Sequence, residues 1–263
     1  MKFSNFCRKN FLAPLDIKIK VLNTCVNASI LYSCETWGAG KIKDIETMYR
    51  QGIKSALSVR ECVNNEIIYL ESGQAPLEIR ISSSQIKFWQ SLMNLQPTHY
   101  ISKLLVLAEE TRYVKYYKSL LHDYENPNNC TNVMKDDFLN TCHTKIRNAA
   151  AVDGDSRLGA YLRVNPLLSN PTIDGKLEFQ RVCITRYRTG SHNLRVEDRR
   201  LPNSKREDRV CVCNTGIQTL QHVLLHCPLL ANIRDKYGVV DVENGVKCDA
   251  FLLEMECILC ITT

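Results

Sequence analysis

Toward the C-terminal end, the run CVCNTGIQTLQHVLLHC places Cys211, Cys213, His222 and Cys227 in a C-x-C-x8-H-x4-C arrangement. Three thiolates and one imidazole are a donor set that a tetrahedral zinc ion takes, and a chain that brings them to one point must fold locally around it. Two sulfurs on a tight turn, with a His and a Cys on the next element, would supply the four ligands. Residues 217 to 226 read as a short helix, so Cys227, five positions after His222, has to lie at or just past its end to turn back toward the metal. Pro228 fits a chain that stops being helical there. His226 stands beside Cys227 as a second candidate ligand. The single residue between Cys211 and Cys213 is one fewer than in common zinc turns, which leaves open an extended segment here, or cysteines that are incidental.

The chain has 263 residues and thirteen cysteines. A chain of this length buries a core without covalent staples, and its N-terminal MKFSNFCRKN lacks the apolar region of a secretory signal. The expectation is therefore an intracellular, nuclear or cytoplasmic protein whose remaining cysteines pack as small hydrophobes. Cys257 and Cys260, a C-x-x-C in the tail with Cys248 upstream, are read the same way, in a terminal helix. No stretch of 18 apolar residues occurs, so no membrane partner is expected. With 44% apolar and 24% charged residues, collagen-like and wholly disordered classes are excluded.

Helical periodicity dominates the rest of the chain, and the expected fold class is mainly α. Ile19, Leu22, Val26 and Ile30 share one face of a helix from Leu15 to Ser33. A second helix from Lys41 turns Ile42, Ile45, Met48, Tyr49 and Ile53 inward. Gly73 and Pro76 mark the next boundary, after which Ile79, Ile86, Trp89, Leu92 and Met93 continue the pattern. Further helices are expected from His99 to Tyr124 and from Val133 to Ala150. Pro166, Pro171 and Gly175 mark a loop and the best domain boundary.

The net charge of +6 is concentrated: Lys176 to Arg209 holds ten basic residues against five acidic ones. Arg181, Arg186, Arg188, Arg195, Arg199, Arg200, Lys205, Arg206 and Arg209 make up most of it. Arginine's planar fork suits phosphate oxygens, so this stretch is a candidate for contact with RNA or DNA. A solvated face with local pairs, such as Arg206 with Glu207 and Asp208, is the alternative.

Enzyme signatures are missing from the sequence. There is no P-loop, G-x-G-x-x-G, G-x-S-x-G or H-E-x-x-H. The adjacent Asp136 and Asp137, in VMKDDFLN, have helical flanks and lack the hairpin setting of a two-metal polymerase. No catalytic residue is assigned.

Several segments together resemble the C-terminal part of reverse transcriptases of non-LTR retrotransposons. Leu31, Tyr32, Cys34, Glu35, Thr36 and Trp37 match that family's Leu-Tyr-Gly-Cys-Glu-Thr-Trp signature at the end of a thumb helix, with Ser33 in place of the glycine. GQAPLEIRISSSQIKFWQSL is similar to its next helical block. SRLGAYLRV, RYRTGSHNLRVEDRR and REDRVCVCNTGIQTLQHVLLHCPLLANIRDKY are similar to its C-terminal end, an arginine-rich stretch followed by a Cys/Cys/His/Cys motif. The resemblance spans about residues 14 to 240.

It implies thumb-like helices over 1–60, a helical connector over 61–163 and a basic segment with a zinc-binding module over 176–240; a tail helix over 241–263 is expected after it. It implies a bound Zn2+, RNA or DNA as partner, and a catalytic palm that would lie upstream. The chain would then be a nucleic-acid-binding fragment and no enzyme by itself. A helical scaffold binding the palm or another protein, and a transposon relic with no selected function, are the alternatives.

Overall fold

The computed structural model describes residues 2–37, 42–107, 111–123, 130–153, 156–165, 168, 178–192, 194–197, 205–219 and 222–237. Among them the fold is helical, in agreement with the mainly α expectation, and the one β pairing is an antiparallel bridge between Val210 and Ile217. In chain order the α-helices are α1 Lys2–Lys9, α2 Leu15–Val21, α3 Ala28–Ile30, α4 Cys34–Trp37, α5 Lys43–Leu57, α6 Asn65–Ser72 and α7 Leu77–Met93. They continue with α8 Tyr100–Leu107, α9 Arg112–Asp123, α10 Cys130–Val152, α11 Arg157–Val164, α12 Glu178–Arg188 and α13 Ala231–Tyr237. No helix among the described residues is long and apolar enough to cross a membrane.

The chain divides into two compact units built from interleaved segments. One draws on Met1–Lys18, Ile53–Gly73 and Cys142–Thr263, the other on Ile19–Gly52 and Gln74–Thr141. This differs from the sequential blocks expected at 1–60, 61–163 and 176–240. Periodicity tells which face of a helix is apolar but not which distant helix covers it. The expected tail helix at 241–263 lies outside the described residues.

In the second unit, a π-helical turn at Leu22–Asn27 interrupts the first predicted helix between α2 and α3. Thr24 sits in it and donates its hydroxyl back to the Lys20 carbonyl at 2.8 Å, a bond that competes with regular helix geometry. Leu22 is buried against Gly52, where an added Cβ would lie 2.7 Å from its Cδ1. Ser33, standing where the resembled signature has glycine, takes φ +54°, the left-handed region that glycine occupies without cost. Met48, expected inward, is 60% exposed, while its neighbour Tyr49 is fully buried.

Pro76 opens α7, whose first N–H, that of Leu77, donates to the Glu46 carboxylate at 2.8 Å. Trp89 of α7 stacks on Tyr117 of α9 with ring centroids 4.4 Å apart. The helix expected from His99 to Tyr124 is two helices, because Thr111 starts a new one by accepting from the Val114 N–H.

In the first unit, α6 is buried from Ile67 to Ser72, polar Glu71 and Ser72 included. Asn64 caps its start by accepting from the Glu66 N–H at 2.8 Å, and Gly73 ends it at φ +62°. Two charged networks lie inside this unit. The buried Glu71 accepts from the Tyr161 hydroxyl at 2.8 Å, and Arg188 lies 3.8 Å from the same oxygen. In the other, the fully buried Lys18 donates to the Phe11 carbonyl at 2.8 Å and to Glu178 at 3.0 Å, while Arg181 grips both oxygens of Glu178 at 2.7 and 2.9 Å.

Candidate metal centre

The site begins with a short hairpin. The Val210–Ile217 bridge is flanked by bonds from the Cys211 N–H to the Gly216 carbonyl at 2.8 Å and from the Gln218 N–H to the Arg209 carbonyl at 2.9 Å. Cys211 therefore lies on one arm and Cys213 in the turn. Asn214 takes φ +57°, and its N–H donates to the Cys211 carbonyl at 2.9 Å, closing the turn within one residue of Cys213. The C-x-C spacing thus resolves as one sulfur on an extended arm and one in the turn.

His222 and Cys227 come from the next element. Residues five apart on an α-helix stand about 140° apart around its axis. The segment His222–His226 is instead a π-helical turn, and the Cys227 N–H donates to the His222 carbonyl at 2.7 Å. The wider turn reduces the angle between positions 222 and 227. Thr219 starts it by accepting from the His222 N–H at 3.0 Å, and Pro228 opens the 3-10 turn that follows. His226 is exposed and lies outside the cluster that Cys211, Cys213, His222 and Cys227 form.

Cys211, Cys213, His222 and Cys227 bring their ligand atoms within 4.8 Å of one another, as a group that could hold a metal ion. Metal–ligand distances of about 2.3 Å for sulfur and about 2.0 Å for nitrogen put tetrahedral ligand atoms roughly 3.5–3.8 Å apart. Cys211 Sγ and Cys227 Sγ are 3.9 Å apart, and Cys213 Sγ is 3.2 Å from His222 Nε2. The sulfurs are far beyond disulfide length, and all three cysteines are free. The other ring nitrogen, Nδ1, faces Gly216, where an added Cβ would come within 3.3 Å of it. The absent side chain leaves that room for the imidazole.

A repeated pattern of hydrogen bonds supports the sulfurs. Each accepts from the backbone N–H two residues on: Cys211 from Cys213, Cys213 from Thr215, and Cys227 from Leu229. Donors aimed at sulfur favour the thiolate, the form that binds metal. Burial opposes it, pushing Cys211 up to about 12 and raising Cys227 as well. At the half-exposed Cys213 burial also works against the thiolate, but the hydroxyl and N–H of Thr215, with Cys211 and His222, outweigh it and bring the pKa down to about 6.

The basic residues separate into two groups. Arg181, Arg186 and Arg188, expected to contact nucleic acid, are built into the first unit. Arg181 is 1% exposed and bound to Glu178. Arg186 donates to the Ser58 carbonyl at 3.0 Å and lies 5.7 Å above the Phe11 ring, and Arg188 lies beside Glu71. The reason is α12 itself, in which Val182, Cys183, Ile184 and Tyr187 are all buried, so arginines interleaved with them need partners inside.

Arg195 and Arg209 tie the 3-10 turn Arg195–Glu197 to the hairpin. Arg195 donates to the Val210 carbonyl at 2.9 Å, and Arg209 to the Val196 carbonyl. Arg195 and Lys205 are exposed. Arg206 begins a second 3-10 turn, Arg206–Asp208, while Lys176, Arg199 and Arg200 lie outside the described residues.

Sequence reasoning missed Thr215, Gly216 and Leu229, whose contributions come from a hydroxyl, a missing side chain and a backbone N–H. Comparison with family models, curated proteins and solved structures finds no match for this chain.

Proposed function

We propose that Cys211, Cys213, His222 and Cys227 bind a structural Zn2+ that folds residues 205–237 into a small module. We propose further that this module serves RNA or DNA binding in a C-terminal fragment of a reverse transcriptase-like protein of a non-LTR retrotransposon. The observation that carries the metal reading is the convergence of the four ligand atoms within 4.8 Å of one another, with the sulfurs of Cys211 and Cys227 3.9 Å apart and unbridged. Three thiolates and one imidazole fill a tetrahedron and leave no open position, which is the pattern of a structural rather than a catalytic zinc. When bound, the ion would supply folding energy to a segment with little apolar core of its own.

The nucleic-acid half of the reading rests on the basic residues in and around the module, with Arg195 and Lys205 exposed and Arg199, Arg200 and Arg206 adding charge in sequence. The test is fluorescence anisotropy of RNA and DNA oligonucleotides with the zinc-loaded full chain, across a range of salt. Phosphate contacts give a log–log slope of roughly −0.7 to −0.9 per neutralised phosphate, reduced by Lys205→Ala and Arg195→Ala. A slope near zero on both nucleic acids removes this half while leaving the metal reading standing.

One observation favours a second reading, a scaffold that binds protein. Six of the eight residues of α8 are apolar and none is buried, with Tyr100 at 72% and Leu107 at 82% exposure. Zinc-dependent folding without nucleic-acid binding would favour that reading.

A further inference from the structure

We propose that Thr215 is a positioning residue of the metal centre, its hydroxyl holding the Cys213 thiolate in place on the exposed side of the site; this rests on the metal reading above. The three sulfurs are not in equivalent settings. Cys211 and Cys227 are each 2% exposed, fixed by surrounding packing as well as by one backbone N–H apiece. Cys213 is half-exposed, in a turn whose next residue is left-handed, so packing alone does not fix its side chain and water reaches its sulfur.

Thr215 makes up the difference. Its Oγ1 lies 3.0 Å from Cys213 Sγ, and its backbone N–H donates to the same sulfur. The Thr215 side chain is itself exposed, so no packing demand accounts for its orientation. A β-branched residue has few χ1 choices, which presets the hydroxyl. A second donor on the sulfur keeps it aimed at the metal. Hydrogen bonds of this kind to metal ligands set affinity, and their loss costs about 10–100-fold. Without the hydroxyl, Cys213 becomes the ligand that lets go first.

The experiment compares the zinc-loaded full chain with Thr215→Val, which keeps the branch and the N–H, and Thr215→Ser, which restores the hydroxyl. Zinc transfer to a chromogenic chelator at neutral pH gives the affinity, and the thiolate-to-metal bands of the Co2+-substituted chain report the ligand set. The expected result is zinc held about 10-fold or more weakly in Thr215→Val, with weakened cobalt–thiolate bands, and near-wild-type behaviour in Thr215→Ser. Equal zinc retention and equal spectra in Thr215→Val and wild type overturn the role of Thr215 while leaving the metal centre intact. A wild-type chain that takes up no Zn2+ overturns the metal reading, and the Thr215 role with it.

Discussion

The N–H of Cys227 donates to the carbonyl of His222 across a π-helical turn, at 2.7 Å, and this turn brings together two candidate ligands that regular helix geometry would set farther apart. The pair then meets Cys211 and Cys213 from the hairpin, so the centre joins two elements whose own backbone geometry already favours it.

Metal uptake should release protons. Cys211, at about 12, and Cys227, also raised, keep their thiols through neutral pH in the metal-free chain, whereas Cys213, at about 6, is already mostly thiolate. The proposed Zn2+ displaces the protons of the first two, so apparent affinity is expected to rise with pH and fall in acid. Calorimetry at pH 7.5 in buffers of different ionisation enthalpy should give about two protons per Zn2+; a value near zero contradicts the ligand set.

His192 should make the fold acid-sensitive. It is buried against Tyr187, with ring centroids 5.5 Å apart; burial first, and then the charge of Arg60, lower its pKa to about 4. An unfolded chain takes up this proton near pH 6.5 and the folded one does not, so the stability is present above about 6.5 and lost as pH falls toward 4. The effect amounts to about 3 kcal/mol. Urea unfolding at pH 7 and pH 4 should show a larger loss for wild type than for His192→Gln, which does not titrate.

Glu178→Gln should be among the most damaging substitutions in the chain. It leaves Lys18 and Arg181, both buried, without the carboxylate they share. Breaking a buried pair by removing one partner costs about 3–5 kcal/mol. Lys18→Met should cost less, because Arg181 keeps its two bonds to Glu178; denaturant midpoints rank the variants, and the reverse order would refute the shared-carboxylate account.

Ser33→Gly should stabilise the protein, since a left-handed backbone costs a non-glycine residue roughly 1–2 kcal/mol and glycine gives part of that back as chain entropy. A gain of up to about 1 kcal/mol in thermal or urea unfolding is expected, with none from Ser33→Ala.

Much of this was legible in the sequence because it depends on near neighbours. Gly73 and Pro76 do end and start helices, and the four candidate ligands stand out because metal chemistry restricts both residue type and spacing. The arginines of α12 were misleading for the opposite reason. A charge count over EFQRVCITRYR cannot see Lys18, about 160 positions away, or the carbonyl of Ser58 that holds Arg186. The apolar residues between those arginines carried the usable signal, since a helix with no polar face has to answer its charges from within. The N–H groups on the sulfurs have no signature in residue type; any residue other than proline supplies one.

The Lys18–Glu178 contact also governs how the molecule can be taken apart. A terminal fragment that starts after Lys18, made to isolate the cysteine-rich end, would carry Arg181 and Glu178 but not the cation that completes them, and it would lack α1. The opposite cut strands a lysine made for the interior. Dissection by point substitution in the intact chain is therefore the sounder route, and a shortened piece that precipitates would say more about the cut than about the metal.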